Sequence, residues 1–248
     1  MDSKEDMVRN DLKVAAQLAH RPVLATLPDK VKPEHTALVV IDMQNDFCAS
    51  GGMVSKDGRD LSEAQAMARR LPKLLDSARA AGVLVVFVRC LYTTEGNAYL
   101  SDVWLEQAAR ERKGGFTRIP VCEDGAWSGD WYGVRPEPGD IIVTKHRYDA
   151  FQGTDLDLIL RSRGIRTIAL TGVVTNVCVE TTARAGFVRD YYIAMVEDGC
   201  AAYVRDDHEQ TMRNIRRFFG VVPSISELCA IWDAQASGTK QAKAAAAA

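Results

Sequence analysis

The chain has 248 residues, 47% hydrophobic and 26% charged, the ordinary balance of a globular protein able to bury one sizeable core. Thirty-one basic residues against thirty-three acidic leave a formal net charge of -2, which offers no electrostatic reason for nucleic acid or an anionic membrane as partner and favours a small, weakly charged ligand. No apolar run approaches the roughly 18 residues needed to span a bilayer, and the mixed-charge N-terminus lacks a signal-peptide pattern, so the expected location is the cytoplasm.

In chain order, residues 1–34 read as a helix followed by a proline-punctuated arm, an N-terminal helical arm to a domain at 35–235. TALVVID (36–42) is the first strand candidate, and VLVVFV (83–88) the second. Both are nearly all apolar, as strands buried on two faces must be. Between them LSEAQAMARRLPKLLDSARAAG (61–82) carries Leu61, Ala64, Met67, Ala68, Leu71 and Leu75 at helical spacing, with Gly82 placed as a stop. That is a right-handed βαβ crossover. The stretch 91–139 is long, aromatic and glycine-rich, which predicts a lid or contact insertion, with Trp104, Trp127 and Trp131 as lid candidates. Further strands follow at DIIVTK (140–145), TIALTG (167–172) and YYIAMVED (191–198). Helices are predicted at 154–163, 177–190, 206–218 and 224–234, the last two opened by Asp206 and Ser224 as caps. The small, repetitive residues 236–248 predict a disordered tail. The alternation of strand and helix gives an α/β class: a three-layer α/β/α sandwich around a doubly wound, mainly parallel sheet.

In such a sheet ligands bind at the carboxyl ends of the strands, beside a switch in strand order. Asp42 closes the first strand in VVIDMQNDF, Lys145 closes the third in IIVTKHRY, and the fourth runs on through TGVVTNVCVETT to Cys178 at the start of a helix. An acid, a base and a thiol therefore meet on one rim. A thiol in the first turn of a helix feels the positive end of the backbone dipole, and Lys145 adds positive charge, both favouring thiolate. Thiolate attack on a carbonyl would form an acyl-enzyme, with backbone N–H groups around Val174, Thr175, Asn176 and Cys178 as the oxyanion site. Asp42 could move the thiol proton to the leaving nitrogen and then activate water. Gln44 and Asn176 are candidates to hydrogen-bond the substrate, Phe47 and Tyr148 to wall its pocket. Arg89, Arg118 and Arg147 are the cations that could meet a substrate carboxylate.

The six cysteines are spread singly without the density of a disulfide framework and read as reduced. Apart from Cys178, the reading for Cys48, Cys90, Cys122, Cys200 and Cys229 is that of small, inert buried hydrophobes. A thiol redox or binding module is the rival of another class. It would need a resolving thiol near Cys178, with Cys48 and Cys200 open for that part.

IDMQNDFC, the Lys145 strand end and GVVTNVCVETTARAGF resemble the three signature segments of isochorismatase-like cysteine hydrolases, over about residues 36–227. The resemblance implies that Asp42, Lys145 and Cys178 form the catalytic triad, that a non-proline cis peptide joins Val173 to Val174, and that the protein is a homo-oligomer, a dimer or tetramer. PGDIIVTKHRYDAF, LDLILRSRGIRTIALTG, TNVCVETTARAGF and RRFFG are similar to ureidoacrylate amidohydrolases, with biuret and triuret hydrolases close by motif. This implies hydrolysis of a ureide or carbamoyl C–N bond with release of ammonia. N-carbamoylsarcosine- or nicotinamide-type amidases are the alternatives within the family. His146 departs from the pattern, standing where a proline commonly follows the lysine. A nicotinamidase would carry closely spaced metal ligands after the second strand; RCLYTTEGNAYL has no histidine there. The expectation is no metal and no cofactor.

Overall fold

The computed structural model describes residues 4–246 other than 112–119, with side chains at 11–110 and 120–238; Arg118 and part of the insertion lie outside them. Six strands, β1 (Thr36–Ile41), β2 (Leu84–Cys90), β3 (Ile141–Lys145), β4 (Thr167–Val173), β5 (Tyr192–Ala201) and β6 (Gly220–Val221), form one parallel sheet in the order β3-β2-β1-β4-β5-β6. The order reverses between β1 and β4, so the sheet is doubly wound, with its switch point at the carboxyl ends of these two strands. β6 has only two residues, too few for any periodicity to reveal.

Alternation along the strands divides the core. Leu38 and Val40 of β1 with Val85 and Phe87 of β2 face one layer, which holds α5 (Ser62–Ala68), α6 (Leu71–Ala81) and α11 (Ile225–Ala246). Ala37, Val39 and Ile41 with Val86 and Val88 face the other, packed by α8 (Leu156–Ser162), α9 (Glu180–Phe187) and α10 (Arg205–Phe218). Each of these strand residues thus has an apolar helix layer to meet, which is why the runs are apolar without alternation.

Four elements differ from expectation. The helix predicted at 61–82 is two, because Pro72 cannot donate to the preceding turn and its ring crowds the carbonyl four residues back; it is tolerated only in the first turn of α6. Gly82 ends α6 as foreseen, at φ 80. The segment after β4 opens as a π-helical turn (Thr175–Val179) before α9. Asp206 does not cap α10. Val204 stands at that position without a side-chain bond, and Asp206 lies in the first turn, where its charge still meets the helix dipole. Ser224 does cap its helix, in a reciprocal pair with Glu227: the Glu227 N–H donates to Ser224 Oγ at 3.2 Å, and the Ser224 N–H donates to Glu227 Oε2 at 2.8 Å. In place of a disordered tail from 236, α11 continues to Ala246, its alanines being the strongest helix formers.

The N-terminal arm contains α1 (Lys4–Leu18) and the short α2 (Leu27–Lys30), capped by Thr26, and the single turns α3 (Asn45–Cys48) and α4 (Met53–Lys56) follow β1. Its fully buried Val31 accepts a 2.8 Å hydrogen bond from Trp232 Nε1 on α11. The insertion folds back over the strand ends. It supplies α7 (Asp102–Glu111), and Trp131 pairs by backbone with Gln44 while packing edge-on against Phe87 at 5.4 Å. Among the described residues, no helix is long and apolar enough to cross a membrane.

Candidate active site

Asp42 is the residue at which β1 stops. Its φ of 54 lies in the left-handed region that Asp tolerates better than most non-glycine residues, and its N–H still bonds Val88 O at 2.9 Å. Lys145 ends β3 in register with Cys90 at the end of β2, so β2 lies between the lysine and β1. Two strand spacings amount to roughly 9.6 Å, a span that only a long side chain helps bridge. Lys145 makes that reach. Its Nζ lies 2.9 Å from Asp42 Oδ2, 2.9 Å from Cys90 Sγ, 3.0 Å from Arg147 O and 3.4 Å from Cys178 Sγ. Asp42 and Lys145 are 1% and 0% exposed, so the pair is essentially dry.

Cys178 arrives from β4 by way of the π-helical turn, and the Val173–Val174 peptide is cis, at the position the motif implied. Gly172, just before it, has φ 110, and a Cβ there would collide with the backbone of Ile41. Glycine is therefore what lets β4 approach the end of β1 and bring thiol and carboxylate together. Thiol sulfurs of Cys90 and Cys178 and a carboxylate oxygen of Asp42 all lie within 4.8 Å of one another, with the Lys145 ammonium among them. The ammonium thus occupies the place where a cation bound by those three groups would sit.

Burial alone would lower the pKa of Lys145, but Asp42, then Cys178 and Cys90, outweigh it and hold the ammonium well above the ordinary 10.5. Cys178 is also raised well above the ordinary 9.0: its hydrogen bond with Cys90 and its burial push it up, Lys145 pulls it down, and Asp42 pushes it up. The hydrogen bond with Cys90 and burial thus oppose the thiolate bias expected from the helix start and from Lys145, and a proton acceptor beside the sulfur would assist its attack. Asp42 Oδ1 is buried and takes no hydrogen bond among the described residues.

A pocket of about 230 Å³ opens above Cys178, walled by Phe47, Tyr92, Tyr148 and Tyr203, with Val174 and Asn176 also on its lining. Phe47, Tyr148, Val174 and Asn176 all lie on this wall. Gln44 and Thr175 are not on this wall. The Gln44 amide is taken up by backbone, accepting from Cys90 N at 2.7 Å and donating to Cys90 O and Gly129 O at 3.0 and 2.8 Å, so it fastens the end of β2 and the insertion. Thr175 pairs its hydroxyl with His208 Nδ1 at 2.9 Å. Arg89 bonds Thr144 on the sheet, and Arg147 donates to Tyr99 O and His146 O; neither lines the pocket. Among the described residues, the cation that does is Arg59, alongside Asp57 and Asp207. Trp104 stands behind the wall, its ring 5.3 Å from Tyr92 and 4.6 Å from Tyr148, while α7 contributes Gln107 to the lining. Trp131 is packed beneath and Trp127 is 53% exposed on another surface depression. His146 stacks on Tyr99 at 3.5 Å and bonds Leu91 O. Sequence reasoning missed Cys90, Arg59, Tyr92 and Tyr203; only the position of Cys90 at a strand end could have flagged one of them.

Fold and site together define a doubly wound α/β domain with a buried acid, lysine and thiol at the switch point of its sheet. The isochorismatase domain model matches residues 36–227, and the chain belongs to the isochorismatase family. Ureidoacrylate amidohydrolase RutB of Agrobacterium fabrum is 36% identical over 214 residues, 82% of this chain and 92% of the relative. The enzyme of the same name from Pseudomonas syringae pv. syringae is 35% identical over 226 residues, 88% and 91% of the two chains. Among solved structures, a cysteine hydrolase from Pseudomonas syringae pv. phaseolicola superposes with a TM-score of 0.71 at 27% identity, covering 88% of this chain and all of that one. N-carbamoylsarcosine amidase from Thermoplasma acidophilum gives 0.60 at 29% identity, covering 77% and 96%.

Proposed function

We propose that this protein hydrolyses a C–N bond of a small ureide or carbamoyl compound, of the ureidoacrylate, biuret or triuret type, through a thioester on Cys178 with release of ammonia. The observation that carries this reading is the convergence of Asp42, Lys145 and Cys178 beneath a pocket of about 230 Å³. That volume is below the usual range for drug-sized ligands and suits a compound of few heavy atoms. Aromatic walls suit a planar conjugated group such as a urea. The names of the relatives, a ureidoacrylate amidohydrolase and an N-carbamoylsarcosine amidase, point to the same bond.

In the proposed sequence Asp42 takes the Cys178 proton as sulfur attacks the carbonyl carbon, and Lys145 steadies the negative charge on either partner. Backbone N–H groups of the turn after the cis peptide hold the oxyanion. Asp42 then returns the proton to the departing nitrogen, so that ammonia and not amide anion leaves. Water, deprotonated by Asp42, attacks the thioester and restores the thiol.

The test is ammonia release over ureidoacrylate, biuret, triuret, N-carbamoylated amines and nicotinamide, with wild type and Cys178→Ala. Turnover of at least one ureide is expected, with loss of activity by a factor on the order of 10³ or more in the variant. Turnover of nicotinamide alone, or a variant as active as wild type, would overturn the reading.

A further inference from the structure

Cys90 has no part in the proposed hydrolysis, yet it sits in the same dry cluster as the nucleophile. Its sulfur and that of Cys178 lie within 4.8 Å of each other and share one ammonium, at 2.9 and 3.4 Å. Both are buried, at 5% and 1% exposure, but Cys178 lines the pocket whereas Cys90 is off its wall. A small oxidant entering as substrate does therefore meets Cys178 first. The other candidate thiols are less well placed. Cys48 is buried but is not a member of the cluster that holds Cys90 and Cys178, and Cys200 lies beyond β4, where it bonds Leu170 O.

We propose that Cys90 is a resolving thiol, and that Cys90 and Cys178 form a reversible intramolecular disulfide when the enzyme meets hydrogen peroxide. In the first step the Cys178 proton passes to Asp42 and the thiolate attacks one peroxide oxygen. The O–O bond breaks, an S–O bond forms, and hydroxide takes up a proton to leave as water; sulfur is oxidised and peroxide reduced. In the second step the sulfur of Cys90 attacks Cys178 sulfenic acid, the S–O bond breaks, and the hydroxyl departs with the Cys90 proton as a second water. Two thiols and one peroxide thus become one disulfide and two waters. The product leaves no uncompensated buried charge, because Lys145 keeps Asp42 and the Arg147 carbonyl as partners when both sulfurs are withdrawn. The disulfide occupies the nucleophile and stops turnover, and it shields Cys178 from the irreversible sulfinic and sulfonic states.

The experiment treats the full chain with hydrogen peroxide, quenches with catalase, and maps peptides without reductant, in wild type and Cys90→Ser. Wild type is expected to lose the mass of two hydrogens, to yield a Cys90–Cys178 linked peptide, and to recover nearly all lost activity with dithiothreitol. In Cys90→Ser, Cys178 is expected to gain two or three oxygens and dithiothreitol to recover almost nothing. Added oxygens on wild-type Cys178 without a linked peptide, or a link to Cys48 or Cys122 in its place, would overturn the proposal. The wild-type map decides by itself should the variant not fold. Because the mass readout needs no turnover, the result stands apart from whether the ureide reading holds.

Discussion

At the scale of single residues, Lys145 is the most demanding feature of the molecule. An ammonium with no solvent exposure is tolerable only because four acceptors surround it, and Asp42 is the one that carries a full charge. Replacing it by methionine keeps most of the volume and strands the Asp42 carboxylate in a dry site. Lys145→Met is expected to lose about 3–5 kcal/mol of stability at neutral pH, which denaturant melts of the two proteins check. In wild type the folded pKa of Lys145 lies above its unfolded value, so its contribution is fully present below about 10.5 and is lost as pH rises through the higher folded value. Legibility differed by residue. Asp42 and Lys145 were visible as polar groups ending apolar strands, and Cys178 by its place at the start of the helix after the fourth strand. Cys90 was not, because a cysteine closing an apolar run looks the same whether it is isolated or beside a second thiol.

At the scale of elements, strand ends do the positioning. β2 sets the gap that Lys145 must cross, and β4 approaches β1 closely enough only because Gly172 has no Cβ. Gly172→Ala adds one methyl against the Ile41 backbone in a conformation, φ 110, that alanine rarely adopts. The expected result is a destabilisation of about 1–3 kcal/mol, together with a fall in kcat larger than any rise in KM, since the displaced groups are Asp42 and Cys178. Thermal melts and steady-state kinetics on the best ureide read both. Helix existence was legible from period, but breaks were not. The split at Pro72 follows a local rule that the apolar repeat of 61–82 masked, whereas the π-helical turn at 175–179 is imposed by how the chain leaves the cis peptide.

At the scale of the whole molecule, the two ends of the chain are fastened together: Trp232 is fully buried and its indole N–H reaches Val31. Trp232→Ala is expected to cost about 3–5 kcal/mol and to raise hydrogen exchange in both the arm at Val31 and α11, while leaving ureide kcat/KM nearly unchanged at temperatures where the protein stays folded. Exchange confined to α11 would show that the arm is held otherwise. Neither helix alone discloses this contact, because the partners are about two hundred residues apart. The sequence by itself determined the class of fold and the chemical types at the rim, since buried parallel strands must be apolar and any polar residue ending one is conspicuous. Only the tertiary structure decided that Arg59 and not Arg89 or Arg147 faces the pocket, that Gln44 is consumed by backbone, and that Cys90 stands beside Cys178. Those facts depend on which strands and loops become neighbours across the sheet, and periodicity reports a residue's own face but not what the fold sets opposite it.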